Sequence, residues 1–158
     1  MLRRIRKGIY VRTDTDYNRF EVAVRVFTPS YISFDTALFL HNLIDQGTWN
    51  VVTVASYLTR EITIDGWVLR AFTLKKDILY SFEGILSSDR HGFGDFTLAS
   101  PERALLDTLY IFGDCDLRYT KRLSFKKILK LLTVYFKSEQ IRRKYLKRVE
   151  EILGGVKK

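Results

Sequence analysis

The stretch TLASPERALLDTLYIFG, Thr97 to Gly113, spells out a strand end, a helix start and a buried helix face in one continuous run. Phe96 to Ala99 reads as a short strand. Ser100 then offers an N-cap oxygen, Pro101 takes the first helical position, where no N–H is needed, and Glu102 complements the positive helix end. Ala104, Leu105, Leu106, Leu109, Ile111 and Phe112 cover most of the surface that follows, and Gly113 stops the helix. An element apolar on most of its circumference belongs near the middle of a core.

Working back toward the N-terminus, Trp67–Leu74, Glu61–Ile64 and the β-branched NVVTVASY of Asn50–Tyr57 read as strands, with Asp65-Gly66 as a hairpin turn. Lys75–Tyr80 suits one helical turn, Glu83–Leu86 a further strand and Ser87–Gly94 a loop. Ser33 caps an expected helix whose stripe is Phe34, Ala37, Leu38, His41 and Leu43 or Ile44, ended by Asp45, Gln46 and Gly47. Before it, Tyr17, Phe20, Val24 and Phe27 recur at helical spacing from an N-cap at Asp16 to a stop at Pro29, although FEVAVRVF also alternates as a strand does. Ile5–Arg12 reads as a turn at Gly8 followed by a short strand.

Beyond Gly113, a loop leads to two more helices. The first turns Phe125, Ile128, Leu129, Leu132, Tyr135 and Phe136 inward, with Lys126, Lys127, Lys130 and Lys137 off the stripe. The second, capped by Ser138, buries Ile141, Tyr145, Val149 and Ile152 and spreads Arg142, Arg143, Lys144, Lys147 and Arg148 over the rest, with Gly154-Gly155 at its end. The expected class is α+β: a small central mixed or antiparallel sheet, helices packed around it, and a helical C-terminus. At 158 residues, one domain accounts for the chain most economically.

The net charge of +9 is segregated. Residues 1–12 carry five basic and no acidic groups, residues 13–120 nine and fifteen, and residues 121–158 thirteen and three. An acidic middle between two basic ends points to a polyanionic partner at one or both ends; a merely solvated helical surface is the plainer alternative. One cysteine, Cys115, excludes an intramolecular disulfide and fits a reducing, cytoplasmic compartment, and no window approaches the roughly 18 apolar residues of a membrane span. The chain is therefore expected to be soluble and cytoplasmic, with no membrane partner.

Catalytic constellations are sparse. His41 lies on a buried helix stripe, as a hydrogen-bonded core histidine would, and His91 sits in the loop DRHGFG. Cys115 stands between Asp114 and Asp116, whose charges oppose thiolate formation. The pairs Asp14-x-Asp16 and Asp114-x-Asp116 resemble half of a Mg²⁺ site but lack an obvious third carboxylate, and read better as loop and capping residues. Gly92-Phe93-Gly94 precedes a strand rather than opening a helix, so it is a turn and not a phosphate loop. No catalytic residue, metal ligand or cofactor site is expected.

Two blocks, SYISFDTALFLHNLI followed by VVTVAS, and FTLASPERALLDTLYI farther on, resemble the C-terminal domain of AbiEi-like transcriptional regulators, the antitoxins of type IV toxin-antitoxin systems. The resemblance runs from about residue 5 to 115 through Tyr31, Ile32, Ser33, Ala37, Leu38, His41, Val54, Ala99, Ser100, Glu102, Ala104, Leu105, Leu106, Asp107 and Tyr110, with Asn42 where the family tends to have Gly. MLRRIRKGIYVR is similar to the end of the wing in the family's N-terminal winged helix-turn-helix, without the helices that precede it, the recognition helix among them. This divides the chain into a basic wing-like segment, 1–15, and a single antitoxin-like domain, 16–158, with basic helices from about 121. The resemblance implies a non-enzymatic, abortive-infection regulator that represses its own operon, touches DNA and counteracts a nucleotidyltransferase-like toxin, reportedly without a stable complex. Arg3, Arg4, Arg6, Lys7 and Arg12 in the wing, and Lys126, Lys130, Arg142, Arg143 and Lys147 in the terminal helices, are the candidate phosphate contacts. The alternative is a protein-interaction module without DNA binding, its basic helices meeting an acidic partner or the acidic centre of a second copy in a homodimer.

Overall fold

Val51–Ser56 (β4) is apolar without alternation because both of its faces are covered, and it occupies the interior of a six-stranded sheet. The computed structural model describes residues 1–47, 49–87 and 95–155. Two strands come first, Leu2–Arg6 (β1) and Ile9–Arg12 (β2), then the helix Arg19–Val26 (α1), Ser30–Ile32 (β3), the helix Phe34–Leu40 (α2) and β4. Arg60–Ile64 (β5), Trp67–Thr73 (β6), the short helix Lys76–Leu79 (α3), Ile85–Ser87 (β7) and Thr97–Ala99 (β8) follow. Three helices close the chain: Pro101–Phe112 (α4), Phe125–Tyr135 (α5) and Glu139–Gly155 (α6).

The order across the sheet is β5-β6-β4-β3-β8-β7. β4 runs parallel to β6 and β3 parallel to β8, while β5/β6, β3/β4 and β7/β8 are antiparallel, so the sheet is mixed and the class is α+β with a helical C-terminus. β1 and β2 form a separate antiparallel hairpin. Asp65 and Gly66 both take positive φ, 48° and 84°, as the two-residue turn between β5 and β6 requires.

α4 follows its sequence grammar closely. The Ser100 hydroxyl oxygen accepts from the Arg103 N–H at 3.2 Å, Pro101 opens the helix, and Gly113 closes it at φ 74°. Glu102 stands in the first turn as expected and is buried there, accepting the Ser124 N–H at 2.8 Å. One part of the apolar stripe differs from expectation. Phe112 remains 54% exposed, its ring edge-on to Phe34 and Phe72.

Other elements correct the sequence reading. α1 is capped by Asn18, not Asp16: the Asn18 side-chain oxygen accepts from the N–H groups of Phe20 and Glu21, and the helix buries Val22, Ala23 and Val26. α2 ends at Leu40, well before Asp45, because Asn42 adopts φ 57°. Its N–H donates to the Phe39 carbonyl and that of Leu43 to the Leu38 carbonyl, both at 2.9 Å, a left-handed closure at the position where glycine is favoured. In α5, Ile128, Leu131, Leu132 and Tyr135 face inward, whereas Phe125 and Leu129 are exposed at 42% and 41%. In α6, Val149 is buried and Tyr145 stacks on Phe136 with ring centres 4.2 Å apart, but Ile141, at the start of the helix, is exposed. The expectations for the 88–94 part of the loop, with His91 and Gly92–Gly94, lie outside the described residues. No helix among the described residues is long and apolar enough to cross a membrane.

Candidate nucleic-acid interface

Alternation along the β1–β2 hairpin gives it two unlike faces. Val11 is buried and Ile5 and Ile9 pack on the core, while Arg4 sits directly across from Tyr10 on the exposed side. Gly8, at φ 80°, makes the tip with Lys7. The hairpin is docked rather than free. Arg3 is paired with Asp65, whose carboxylate also accepts the Tyr17 hydroxyl at 2.7 Å, and Trp67 Nε1 donates to that same hydroxyl at 2.9 Å. The Arg6 guanidinium donates to the Val26 carbonyl at 3.2 Å and lies 4.8 Å from the Phe27 ring centre. Arg12 is paired with Asp14 at 2.7 Å, and this guanidinium holds the exposed carboxyl below its usual range.

The C-terminal cations divide in the same way. Lys130 reaches Glu83 at 3.1 Å, Arg143 pairs with Glu139 one turn back at 2.6 Å, and Arg142 donates to the carbonyls of Phe136 and Lys137, closing the end of α5. Arg148 bridges Asp114 and Glu151. Of the ten candidate phosphate contacts, Arg4, Lys7, Lys126 and Lys147 carry no intramolecular side-chain partner among the described residues; the other six are engaged. The two basic ends attach to different parts of the molecule. The hairpin rests on α1 and the β5–β6 turn and α5 rests on α4 and α3, with no hydrogen bond or ion pair between hairpin and terminal helices among the described residues.

Sequence reasoning missed the chemistry at the centre. Asp107, fully buried on α4, accepts hydrogen bonds from the hydroxyls of Ser33 at 2.6 Å, Tyr31 at 2.8 Å and Tyr135. Ser33 thus occupies the N-cap position of α2 but spends its hydroxyl on Asp107 rather than on the helix. One turn earlier, Arg103 donates to the Tyr31 hydroxyl at 3.0 Å and to the carbonyls of Ile78, Ser81 and Glu83 at 2.6–2.7 Å, with its guanidinium 4.6 Å from the Tyr31 ring centre. Burial raises the Asp107 carboxyl above its ordinary value, against the opposing pull of Arg103 and the three hydroxyls. Burial works against the Arg103 guanidinium, and Tyr31, Tyr135 and Asp107 outweigh it, so that group also sits above its ordinary value. This knot ties β3, the start of α2, the α3–β7 connection, α4 and α5 into one body. The signal for it was two opposite charges four apart inside an otherwise apolar helix.

The remaining candidates for chemistry resolve as structural groups. His41 Nε2 lies 2.7 Å from the Ala99 carbonyl oxygen, a core contact between α2 and β8. Cys115 is buried, and its thiol is pushed up to about 12, first by burial and then by Asp35, Asp114 and Asp116. Asp114 accepts the Cys115 N–H at 2.8 Å and pairs with Arg148 at 2.6 Å. Among the described residues no group of three or more His, Cys, Asp or Glu is arranged to hold a metal ion. No protein-family model matches the chain, and no curated protein matches its sequence.

Proposed function

We propose that the chain is a non-enzymatic, antitoxin-like regulator domain of the AbiEi kind, working in the cytoplasm and contacting nucleic acid through its basic ends. One observation carries the nucleic-acid half: Arg4, Lys7, Lys126 and Lys147 hold exposed charge that no carboxylate among the described residues neutralises. Lys127, Lys137 and Lys144, on and around α5 and α6, are exposed as well. Exposed, unpaired cations exchange their counterions for phosphates and release those counterions on binding. Such contacts position a nucleic acid without reading its sequence, so operator choice would rest on further determinants.

The family half rests on the resemblance in Sequence analysis and links the chain to a nucleotidyltransferase-like toxin encoded beside it. Titrating the protein against DNA from upstream of its own reading frame and against unrelated DNA, at several salt concentrations, tests the first half. Binding with a steep salt slope is expected, and no binding even at low salt sinks it. Co-expression with the neighbouring toxin gene tests the second, with restored growth expected and continued toxicity contradicting it. The second reading, a protein-interaction module without DNA binding, draws on Phe82, which stands 90% exposed. Self-association into a homodimer that covers Phe82, with no affinity for DNA, is its signature.

A further inference from the structure

The connection between α4 and α5 lacks regular structure but is fixed at every few residues. Cys115 and Leu117 are buried in the core. The N–H groups of Arg118 and Tyr119 both donate to the Leu43 carbonyl, at 2.9 and 3.2 Å. The Leu123 N–H closes a turn on the Thr120 carbonyl at 3.0 Å, and Glu102 receives the Ser124 N–H. Lys121 and Arg122 are exposed between these anchors. Asp45 lies 3.8 Å from Arg118 Nε, and the neighbouring Tyr119 side chain stays 57% exposed.

This loop walls a cleft of about 1010 Å³, with Arg118, Lys121 and Arg122 along it, Tyr119 and Phe125 offering aromatic surface, and Glu150 and Leu153 of α6 completing the lining. We propose that the cleft binds single-stranded nucleic acid, its phosphates met by Lys121 and Arg122 and its bases stacked on Tyr119 and Phe125. The proposal rests on the polyanion role argued above and names the strand and its seat. Cations interleaved with exposed rings are what an unpaired strand needs, because it offers both phosphates and free base faces, whereas a duplex keeps its base faces stacked inside. Glu150 repels phosphate but accepts from an exocyclic base amine, which places bases rather than backbone on the α6 side. An acidic peptide would satisfy the cations, leave the rings unused and oppose Glu150. The volume is at the upper end of the roughly 300–1,000 Å³ of small-molecule sites, as an extended ligand requires.

Fluorescence anisotropy on the whole chain tests this, with labelled RNA and DNA strands of about twelve nucleotides, inside the usual site sizes of roughly 4–16, and the same DNA as a duplex. Joint Tyr119→Ala and Phe125→Ala substitution should weaken single-strand binding about tenfold or more and leave duplex binding within about twofold. Tyr119→Phe should retain affinity, because stacking needs the ring and not the hydroxyl. Tighter binding of the RNA or of the DNA names the natural strand, and either supports the proposal. Should the double variant lose its circular dichroism signal, Phe125→Gln alone, at an exposed position, carries the same test. Unchanged single-strand affinity in a folded aromatic variant, with duplex binding intact, overturns the cleft assignment while leaving the polyanion role standing. Absence of binding to every nucleic acid at low salt overturns both. Binding of a glutamate-rich peptide that strands cannot displace overturns the choice of ligand.

Discussion

Asp107 and Arg103 stand four residues apart on α4, opposite buried charges linked through the Tyr31 hydroxyl, which donates to the carboxylate and accepts from the guanidinium. Removing one partner of a buried pair leaves the other charged, desolvated and unmatched. Asp107→Ala should therefore destabilise the fold by about 3–5 kcal/mol in urea titrations, since it removes the negative charge that favours Arg103 and leaves the hydroxyls of Ser33, Tyr31 and Tyr135 without their acceptor. Combined with Arg103→Met, it should cost clearly less than the two single changes added together, and simple additivity would show that the pair is not coupled. The phenols of Tyr31 and Tyr135 are held well above their ordinary value, chiefly by burial and then by the Asp107 charge. A raised folded-state value means that the stabilising contribution is full below about pH 10, where the unfolded phenol titrates, and is lost as pH rises toward the folded value. Urea stability should thus fall as pH rises above about 10, and less steeply in Tyr135→Phe than in the parent. Only the two opposite charges on α4 were visible in the sequence, not the partners they meet. The members of this knot are distributed from residue 31 to residue 135, and a polar residue inside an apolar helix looks the same whether it meets solvent or a partner distant in sequence.

Elements were legible where the determinants act locally. The Ser100 cap, Pro101 and Gly113 each work within a few residues, so the start and stop of α4 could be written down from Thr97–Gly113 alone, and the Asp65-Gly66 turn likewise. The end of α2 could not, because it depends on Asn42 taking a left-handed conformation that most residues avoid. The inward face of α5 was shifted because the direction from which α4 approaches is not encoded in the helix itself, leaving Phe125 and Leu129 outside. Gly84 sharpens this point. It has φ 71°, its carbonyl accepts the Ser100 N–H at 2.7 Å, and a Cβ there would meet Ser100 Oγ at 3.0 Å and Arg103 Cβ at 3.1 Å. Gly84→Ala should cost about 1–3 kcal/mol from backbone strain and more from displacing the cap and the arginine. Gly66→Ala, where φ is 84° and nothing lies within 4 Å, should incur the strain alone. Equal losses of melting temperature in the two variants would mean that the Gly84 contact is not tight. At Leu106, 1% exposed in the same helix, substitution by Asp should abolish folding, and a folded but inactive protein would mark that face of α4 as functional surface.

Over the whole molecule, charge segregation was visible from composition along the chain, but the partition of that charge into engaged and unengaged cations was not. Arg3 meets Asp65 and Lys130 meets Glu83 only once the chain has folded, so ten equivalent candidates in sequence become four with no side-chain partner among the described residues. The docked hairpin turns Arg4 and Tyr10 outward together, while α5 and α6 carry Lys126 and Lys147 elsewhere on the surface. These unpartnered cations, and not the paired ones, are the proposed polyanion contacts. The most direct measurement is the slope of log affinity against log salt for a DNA duplex, compared between the parent, a variant with Arg4, Lys7, Lys126 and Lys147 changed to Gln, and a variant with Lys130 and Arg143 changed to Gln. Each lost phosphate contact should lower the slope by about one. A clear flattening is expected in the first variant and little change in the second; an unchanged slope in the first, with its fold intact, would overturn the assignment of these cations.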